Sequence, residues 1–334
     1  MDRELKILLR LPNWIGDSAM ASGAFETLKS HFPNAIFSIL GPKSSCDLYK
    51  RDIRIENIFI DESKNSKNRL RATINLAKRI GPHNIAISFS NTFFSALCLY
   101  FTNTPLRLGY AKNFRSLFLS KTPKYIKNIH QVELYLNLVN ELCALPLITS
   151  STKPNKIQML NLTSKNIFFP LPKQYKCIGI APSATYGSAK RWVYYAKLIN
   201  NLLDNYVVVL FGKEGENRDI LDSINTLHRN FIDLTNKTSI EELCDLIAKL
   251  DLFIGNDSGP MHIADALNIP LIAIFGPTPS FYAKPYRSKH ILFEKNPPCS
   301  PCQKRECPLK HHNCMKEIKV EEVMKAVSEI LDAS

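Results

Sequence analysis

The sequence predicts an α/β protein made of two doubly wound parallel sheets in tandem. Three observations carry that expectation. Short apolar runs of strand length alternate with longer stretches of helical periodicity, the rhythm of parallel strands covered by helices on both faces. The rhythm runs twice along 334 residues, a length too great for one ordinary domain and comfortable for two. Between the two runs, residues 146–172 lose periodicity and are rich in Pro, Asn, Ser and Thr, as a connection between domains is.

In the first half, residues 6–11 read as a strand and 19–29 as a helix. Residues 35–40 and 57–60 read as short strands, and 70–80 as an amphipathic helix with a basic face. A strand over 85–89, an apolar helix over 93–101 and a helix over 131–142 complete it. After the connection, strands are expected at 177–181, 206–211, 231–234, 252–255 and 271–275. Helices are expected at 193–203, 217–227, 240–249, 261–267 and 320–331. The implied boundaries are a first Rossmann-like domain over 1–160, a linker over 161–175, a second domain over 176–319 and a C-terminal helix over 320–334. Ligands of such sheets bind outside the carboxyl ends of the strands. With two units, the natural site is the cleft between them.

Composition narrows the class. Hydrophobic residues make up 45% and charged residues 22%, as in a soluble globular protein. No apolar stretch approaches the ~18 residues that span a bilayer. The start, Met1-Asp2-Arg3-Glu4-Leu5-Lys6, is charged and runs into a strand without a signal-peptide pattern. The expectation is a cytoplasmic protein. A net charge of +13 suits nucleic acid, an anionic membrane or an anionic substrate, or is simply a solvated Lys-rich surface. Nine cysteines in such a compartment argue against a disulfide scaffold.

Four polar loops, each after an expected strand, hold the candidate chemistry. The first is Leu11-Pro12-Asn13-Trp14-Ile15-Gly16-Asp17-Ser18. Asp17 opens the first helix, where a carboxylate can take a proton from a hydroxyl or can merely cap the helix. The second, from Ala181 to Trp192, sets Ser183, Thr185, Gly187, Lys190 and Arg191 ahead of a helix. Hydroxyls, a glycine and two cations there suit a diphosphate; a solvated basic turn is the plain alternative. In the third, Phe211-Gly212-Lys213-Glu214, the acid Glu214 is placed to accept from a ribose. The fourth is Asn256-Asp257-Ser258-Gly259-Pro260-Met261-His262. A strand-to-helix turn concentrates free N–H groups and the positive helix end, a phosphate site, although Asp257 or Ser258 alone would read as a cap.

In the order and spacing of these loops the chain resembles the glycosyltransferase family 9 heptosyltransferases. The resemblance rests on Asn13-Trp14-Ile15-Gly16-Asp17, on Ala181 to Trp192, on Phe211-Gly212-Lys213-Glu214, and on Asn256 to His262 continuing to Phe275-Gly276-Pro277-Thr278. It covers nearly the whole chain. It implies the GT-B architecture, two Rossmann-like domains facing a central cleft, with the acceptor in the first and the ADP-sugar in the second. The chain is most similar to the heptosyltransferase II branch. That branch moves L-glycero-D-manno-heptose from ADP-heptose to a heptose already on the lipopolysaccharide inner core. Heptosyltransferases I and III, or another nucleotide-sugar transferase or epimerase, share the scaffold.

By this resemblance Asp17 is the general base and Lys190 the phosphate-binding lysine. Glu214 is the ribose-binding acid. Asp257, Ser258 and Gly259 form the turn at the donor diphosphate, with Ser183, Thr185 and His262 beside it. Asn13, Arg69, Arg71, Lys112 and Arg115 fall to the acceptor, which is anionic and membrane-embedded, so the enzyme is expected to be peripheral to the inner face of the cytoplasmic membrane. One base and direct displacement imply inversion. There is no Asp-x-Asp motif, and a lysine with helix ends can replace a catalytic metal ion, so no cofactor is expected for catalysis. Cys299, Cys302, Cys307 and Cys314, with His311 and His312 between the last two, have a spacing that can hold structural zinc or can remain free thiols. A nucleic-acid binder is not expected, because the basic residues are not interleaved with aromatic stacking platforms.

Overall fold

The computed structural model describes residues 4–144, 174–183 and 186–332. The chain divides into two compact units, Met1–Thr163 and Ser164–Ser334. The expected linker falls almost wholly outside the described residues.

The first unit runs β1 (Lys6–Arg10), α1 (Ile15–His31), β2 (Ile36–Gly41), α2 (Lys43–Asp47), β3 (Ile55–Ile60), α3 (Arg69–Ile80), β4 (Ile85–Ser88), α4 (Phe93–Phe101), β5 (Leu106–Gly109) and α5 (Gln131–Cys143). All pairings are parallel, in the order β3-β2-β1-β4-β5. Strand order therefore reverses between β1 and β4, and their carboxyl ends flank the crevice where such sheets take ligands. Helix starts are chemically marked. The Asn68 side chain accepts from Arg71 N–H at the start of α3, and that of Thr92 from Ser95 N–H at the start of α4.

The second unit runs β6 (Cys177–Ala181), α6 (Tyr195–Leu202), β7 (Val207–Leu210), α7 (Arg218–Leu221), β8 (Phe231–Asp233), α8 (Ile240–Ile247), β9 (Leu252–Asn256), α9 (Gly259–Ala266), β10 (Leu271–Phe275), α10 (Ser280–Ala283), β11 (His290–Glu294), α11 (Asn313–Lys316) and α12 (Val320–Asp332). Its parallel order is β8-β7-β6-β9-β10-β11, with the reversal between β6 and β9. The central strands β6, β9 and β10 are buried along their whole length, which is why they read as continuous apolar runs. The C-terminal helix α12 belongs to this core: Val323, Val327 and Ile330 pack with Ile254, Ile272 and Leu198.

Three sequence expectations needed correction. The helix expected over 217–227 is helical only at α7. Beyond it Ser223 Oγ turns back to Asp219 O at 2.6 Å, and Asn225 Oδ1 accepts from Leu227 N–H at 3.1 Å. These local bonds compete with the helix ladder. The edge strands β5 and β11 were not foreseen. Both are short, and β11 is only half-buried along its length, so neither carries a strong apolar or alternating signal. What holds the approach to β11 is Asp265 on α9. Its buried carboxylate accepts from the N–H groups of Tyr286, Arg287 and Ser288 and from Ser288 Oγ, each at 2.9 Å.

Asp265→Ala should therefore lower the unfolding free energy by about 3 kcal/mol, because several buried donors lose a charged acceptor at once. Urea denaturation with an unchanged m-value checks this. A cost near zero would mean that water replaces the carboxylate freely.

Candidate functional site

The switch point of the second sheet carries a buried constellation. The segment after β6 bears Lys190, and the end of β9 leads into Asp257 and Ser258. Lys190 Nζ donates to Asp257 Oδ2 and, at 3.2 Å, to Asp257 O. Thr278 Oγ1 donates to the same Oδ2 at 2.7 Å, and His262 Nε2 lies 3.3 Å from Oδ1. Burial alone would raise the Asp257 carboxyl. The His262 hydrogen bond and the Lys190 charge outweigh it and hold the group far below the usual carboxylate range. Asp257 is thus a buried organiser of Lys190, His262 and Thr278.

Ser258 is the N-cap of α9, yet its hydroxyl caps nothing. Its Oγ is buried without a hydrogen-bond partner among the described residues. A buried orphan hydroxyl beside the free N–H groups of a helix start is where an anionic ligand oxygen would be satisfied. Gly259 is the first residue of that helix. Ser183 Oγ donates to Asn217 Oδ1 at 3.2 Å. Asn217 in turn donates to Phe211 O and Thr235 Oγ1, each at 3.1 Å. Glu214 is exposed in the turn after β7. Thr185 lies outside the described residues.

The loop bearing Lys190 is braced from behind. Tyr186 OH donates to Gln303 O at 2.7 Å, and Ala189 N–H to Arg305 O at 3.0 Å. A Cβ on Gly187 would stand 2.3 Å from Arg305 O, so only glycine permits this approach. The bracing segment is the cysteine loop. Cys299, Cys302, Cys307 and Cys314 line one small cavity of about 20 Å³ with His311 and His312. Cys299 Sγ lies 3.7 Å from His311 Nε2. Burial, and then the neighbouring thiols, push the Cys314 thiol up to about 11. Among the described residues, no three His, Cys, Asp or Glu side chains are placed to hold a metal ion.

The first unit places its candidates after the carboxyl ends of β1, β3 and β5. Asp17 stands in the first turn of α1, half-buried, three positions past the N-cap Trp14. It is therefore not the capping residue. Arg10, which the sequence did not single out, is buried at the end of β1. Its Nη2 donates to Asn13 Oδ1 and to Asp61 Oδ2, each at 3.0 Å. Burial opposes ionisation of Asp61, but the Arg10 charge and a hydrogen bond from Ser63 hold it below the ordinary carboxylate value. Arg69 stacks over Phe94 at 3.9 Å, Lys112 lies over Tyr125 at 3.3 Å, and Arg71 is exposed.

Arg115 departs from expectation. The sequence put it on a basic surface, but it is fully buried. Its Nη1 donates to Asn91 Oδ1 at 2.9 Å, while Nε and Nη2 have no partner among the described residues. Burial and the nearby Arg10 charge bring its pKa down to about 10. A buried guanidinium with two unsatisfied nitrogens costs stability that hydrophobic packing would not. Sequence periodicity could not reveal this, because the residue lies in a turn outside any regular element that had been expected.

With this geometry in place, the similarities are informative. The family profile described as Glycosyltransferase family 9 (heptosyltransferase) matches residues 73–313. The chain is 33% identical over 335 residues to the lipooligosaccharide heptosyltransferase 2 of Campylobacter jejuni subsp. jejuni serotype O:6, covering 98% of this chain and 99% of that one. It is 28% identical over 301 residues to the lipopolysaccharide heptosyltransferase 2 of Escherichia coli K12, covering 85% and 86%. The solved structure of E. coli ADP-heptose lps heptosyltransferase II matches with a TM-score of 0.80 at 26% identity, over 98% of this chain and 99% of that chain.

The depressed carboxyl of Asp257 sets a pH signature. Its contribution to stability is fully present above the unfolded carboxylate value. It is lost only as pH falls through the lower folded value. Asp257→Asn should cost on the order of 3 kcal/mol at neutral pH by leaving Lys190 buried and unpaired. The gap between wild type and variant should hold down to the ordinary carboxylate range and close only below it. Urea titrations at stepped pH read this directly, and a gap already closed by about pH 5 would contradict the assignment.

Proposed function

Because the chain belongs to glycosyltransferase family 9, the heptosyltransferases, we propose that it moves L-glycero-D-manno-heptose from ADP-heptose to a heptose already on the lipopolysaccharide inner core. The observation that carries this reading is the Lys190–Asp257–Ser258 constellation at the switch point of the second unit. The relatives named heptosyltransferase 2, one matched nearly end to end and one over 85% of this chain, support the sugar and the step.

The donor's diphosphate binds at the start of α9. Backbone N–H groups and the Ser258 hydroxyl satisfy its oxygens. Lys190 spends two of its three donors on Asp257, and the third serves the leaving phosphate. Glu214 accepts from the ribose hydroxyls. Asp17 takes the proton of the acceptor hydroxyl as that oxygen attacks the anomeric carbon. The bond from that carbon to the phosphate oxygen breaks in the same displacement, ADP departs with the electron pair, and the centre inverts. Lys190 and the helix end meet the charge on ADP, so no metal ion is required for the transfer. Asn13, Arg69, Arg71 and Lys112 receive the anionic acceptor, and the buried Arg115 acts on it from behind through Asn91, to which its Nη1 donates. Arg115 holds two donors that the described residues leave unsatisfied. The enzyme works peripherally at the inner face of the cytoplasmic membrane.

The direct test is turnover of ADP-heptose on an inner core that already bears one heptose, against a core that bears none, with and without EDTA. Transfer should need the heptosylated acceptor and survive the chelator. Transfer only to the unheptosylated core would move the chain to a different step.

Asp17→Asn keeps size and shape and removes the base. It should bind ADP-heptose and melt nearly as wild type while losing roughly 10²–10⁴-fold in kcat. Near-normal turnover would falsify the base assignment. Arg115→Met should act in the opposite sense on stability. It relieves a buried, under-satisfied charge and should raise the unfolding free energy by about 1–4 kcal/mol. At the same time the KM for the acceptor should rise while the KM for ADP-heptose stays put. A destabilised variant with unchanged acceptor KM would make Arg115 a purely structural residue.

A further inference from the structure

The positive charge of this protein is concentrated in one stretch. Residues 63–132 contain twelve Lys and Arg and no Asp or Glu, against a net +13 for the whole chain. That stretch builds α3, α4, the edge strand β5 and the short turn Arg115–Phe118 that follows it. α3 packs on α4, and α4 packs on the turn, so the four form one continuous edge of the first unit. Arg71, Lys78 and Arg79 on α3 are exposed, as are Lys124 and Lys127 beyond β5.

The same edge displays apolar side chains that are open to solvent. Phe114 is 88% and Leu117 80% exposed, with Leu70, Phe93, Tyr100 and Ile126 also open to solvent. Behind them lies an ordered aromatic platform. The Phe118 ring meets Phe93 edge-on at 5.3 Å and Tyr100 at 5.6 Å. Arg107 lies over Tyr100 at 5.4 Å and donates to Phe118 O at 2.7 Å. Phe114 is held in the left-handed backbone region, at φ 58°, a conformation that a bulky side chain adopts only at a cost. The turn thus projects a Phe and a Leu outward at a point fenced by cations.

Protruding apolar side chains within a ring of Lys and Arg complement one surface above others. An anionic bilayer offers phosphates to the cations and an acyl boundary to the apolar residues. Nucleic acid would offer phosphates to the cations and could stack on Phe114, but it would leave the aliphatic Leu117, Leu70 and Ile126 without a partner. We propose that this edge of the first unit docks on an anionic phospholipid bilayer, with Phe114 and Leu117 entering the acyl boundary and the flanking cations meeting the headgroups. This deepens the peripheral-membrane part of the reading above, but its test needs no sugar transfer, so either can fail without the other.

The test is sedimentation of the full chain with vesicles of phosphatidylcholine alone or mixed with phosphatidylglycerol. The protein should bind the mixed vesicles, release in high salt, and ignore the neutral ones. Phe114→Asn with Leu117→Ser, an exposed pair whose first change suits the left-handed turn, should weaken binding about tenfold or more. Lys124→Glu with Lys127→Glu should weaken it by about fivefold for each cation removed. On a soluble, delipidated acceptor the Phe114→Asn, Leu117→Ser variant should turn over as wild type, and on a vesicle-embedded acceptor it should be slow. Equal binding to both vesicle types, or variants that bind as wild type, would overturn the proposal. So would tight binding to duplex DNA without binding to vesicles.

Discussion

The second unit is organised around one ion pair, Lys190 with Asp257, set across the point where strand order reverses. Both partners are nearly buried, and two charges in such a place are tolerated only when the carboxylate and most of the ammonium's protons are paired. The surroundings meet that demand. Asp257 receives Lys190, Thr278 and His262. The loop carrying Lys190 is tied down by Trp192, whose Nε1–H donates to Ile318 O at 3.0 Å. The strand carrying Asp257 is tied by Asn256, which accepts from Tyr195 OH at 2.9 Å and donates to Pro182 O. The cation is thereby fixed beside the start of α9 before any ligand arrives, the preorganisation that makes an electrostatic contribution effective.

The first unit shows the opposite arrangement. Arg10 and Arg115 sit close enough to repel, and Asp61 is the acid that answers Arg10. Arg115 keeps two nitrogens unsatisfied in the interior. An under-satisfied buried charge is a stability cost with no structural return, and such costs persist where function uses them. Around Arg10 and Arg115 the first unit thus holds donors in surplus, whereas the carboxylate at the centre of the second unit's constellation is fully partnered.

The cysteine loop is best understood by what it leans on. Through Gln303 and Arg305 it backs the loop of Tyr186 to Lys190. Through Ser300 Oγ it reaches Gly276 O at 2.7 Å, next to the segment that supplies Thr278. A Cβ on Gly276 would stand 2.4 Å from Met315 Sδ, so the loop and α11 close tightly over the end of β10. Both loops that contact Asp257 from outside β9 therefore rest on the same segment, and packing there is transmitted to the position of Lys190.

The alternation of apolar runs and helical periods was enough to expect two doubly wound units, because buried parallel strands are apolar along their whole length and advertise themselves locally. The four polar loops were legible for the same reason: each follows a strand, and the carboxyl end of such a strand is where ligands bind. Asp17, Lys190, Glu214 and Ser258 stand out in these loops as candidates, but taken alone each loop reads equally as a cap or a solvated turn, and only the family resemblance gives them roles. What the loops could not disclose was partnership. That Asp257 is consumed by Lys190, His262 and Thr278 depends on residues 5 to 67 positions away. The burial of Arg10 and Arg115, the weak edge strands β5 and β11, and the basic apolar edge are likewise products of packing. Local sequence determines which residue types stand at a strand end. Only the assembled sheet decides which of them lose water, and loss of water is what turns a solvated charge into a paired organiser or an unsatisfied donor.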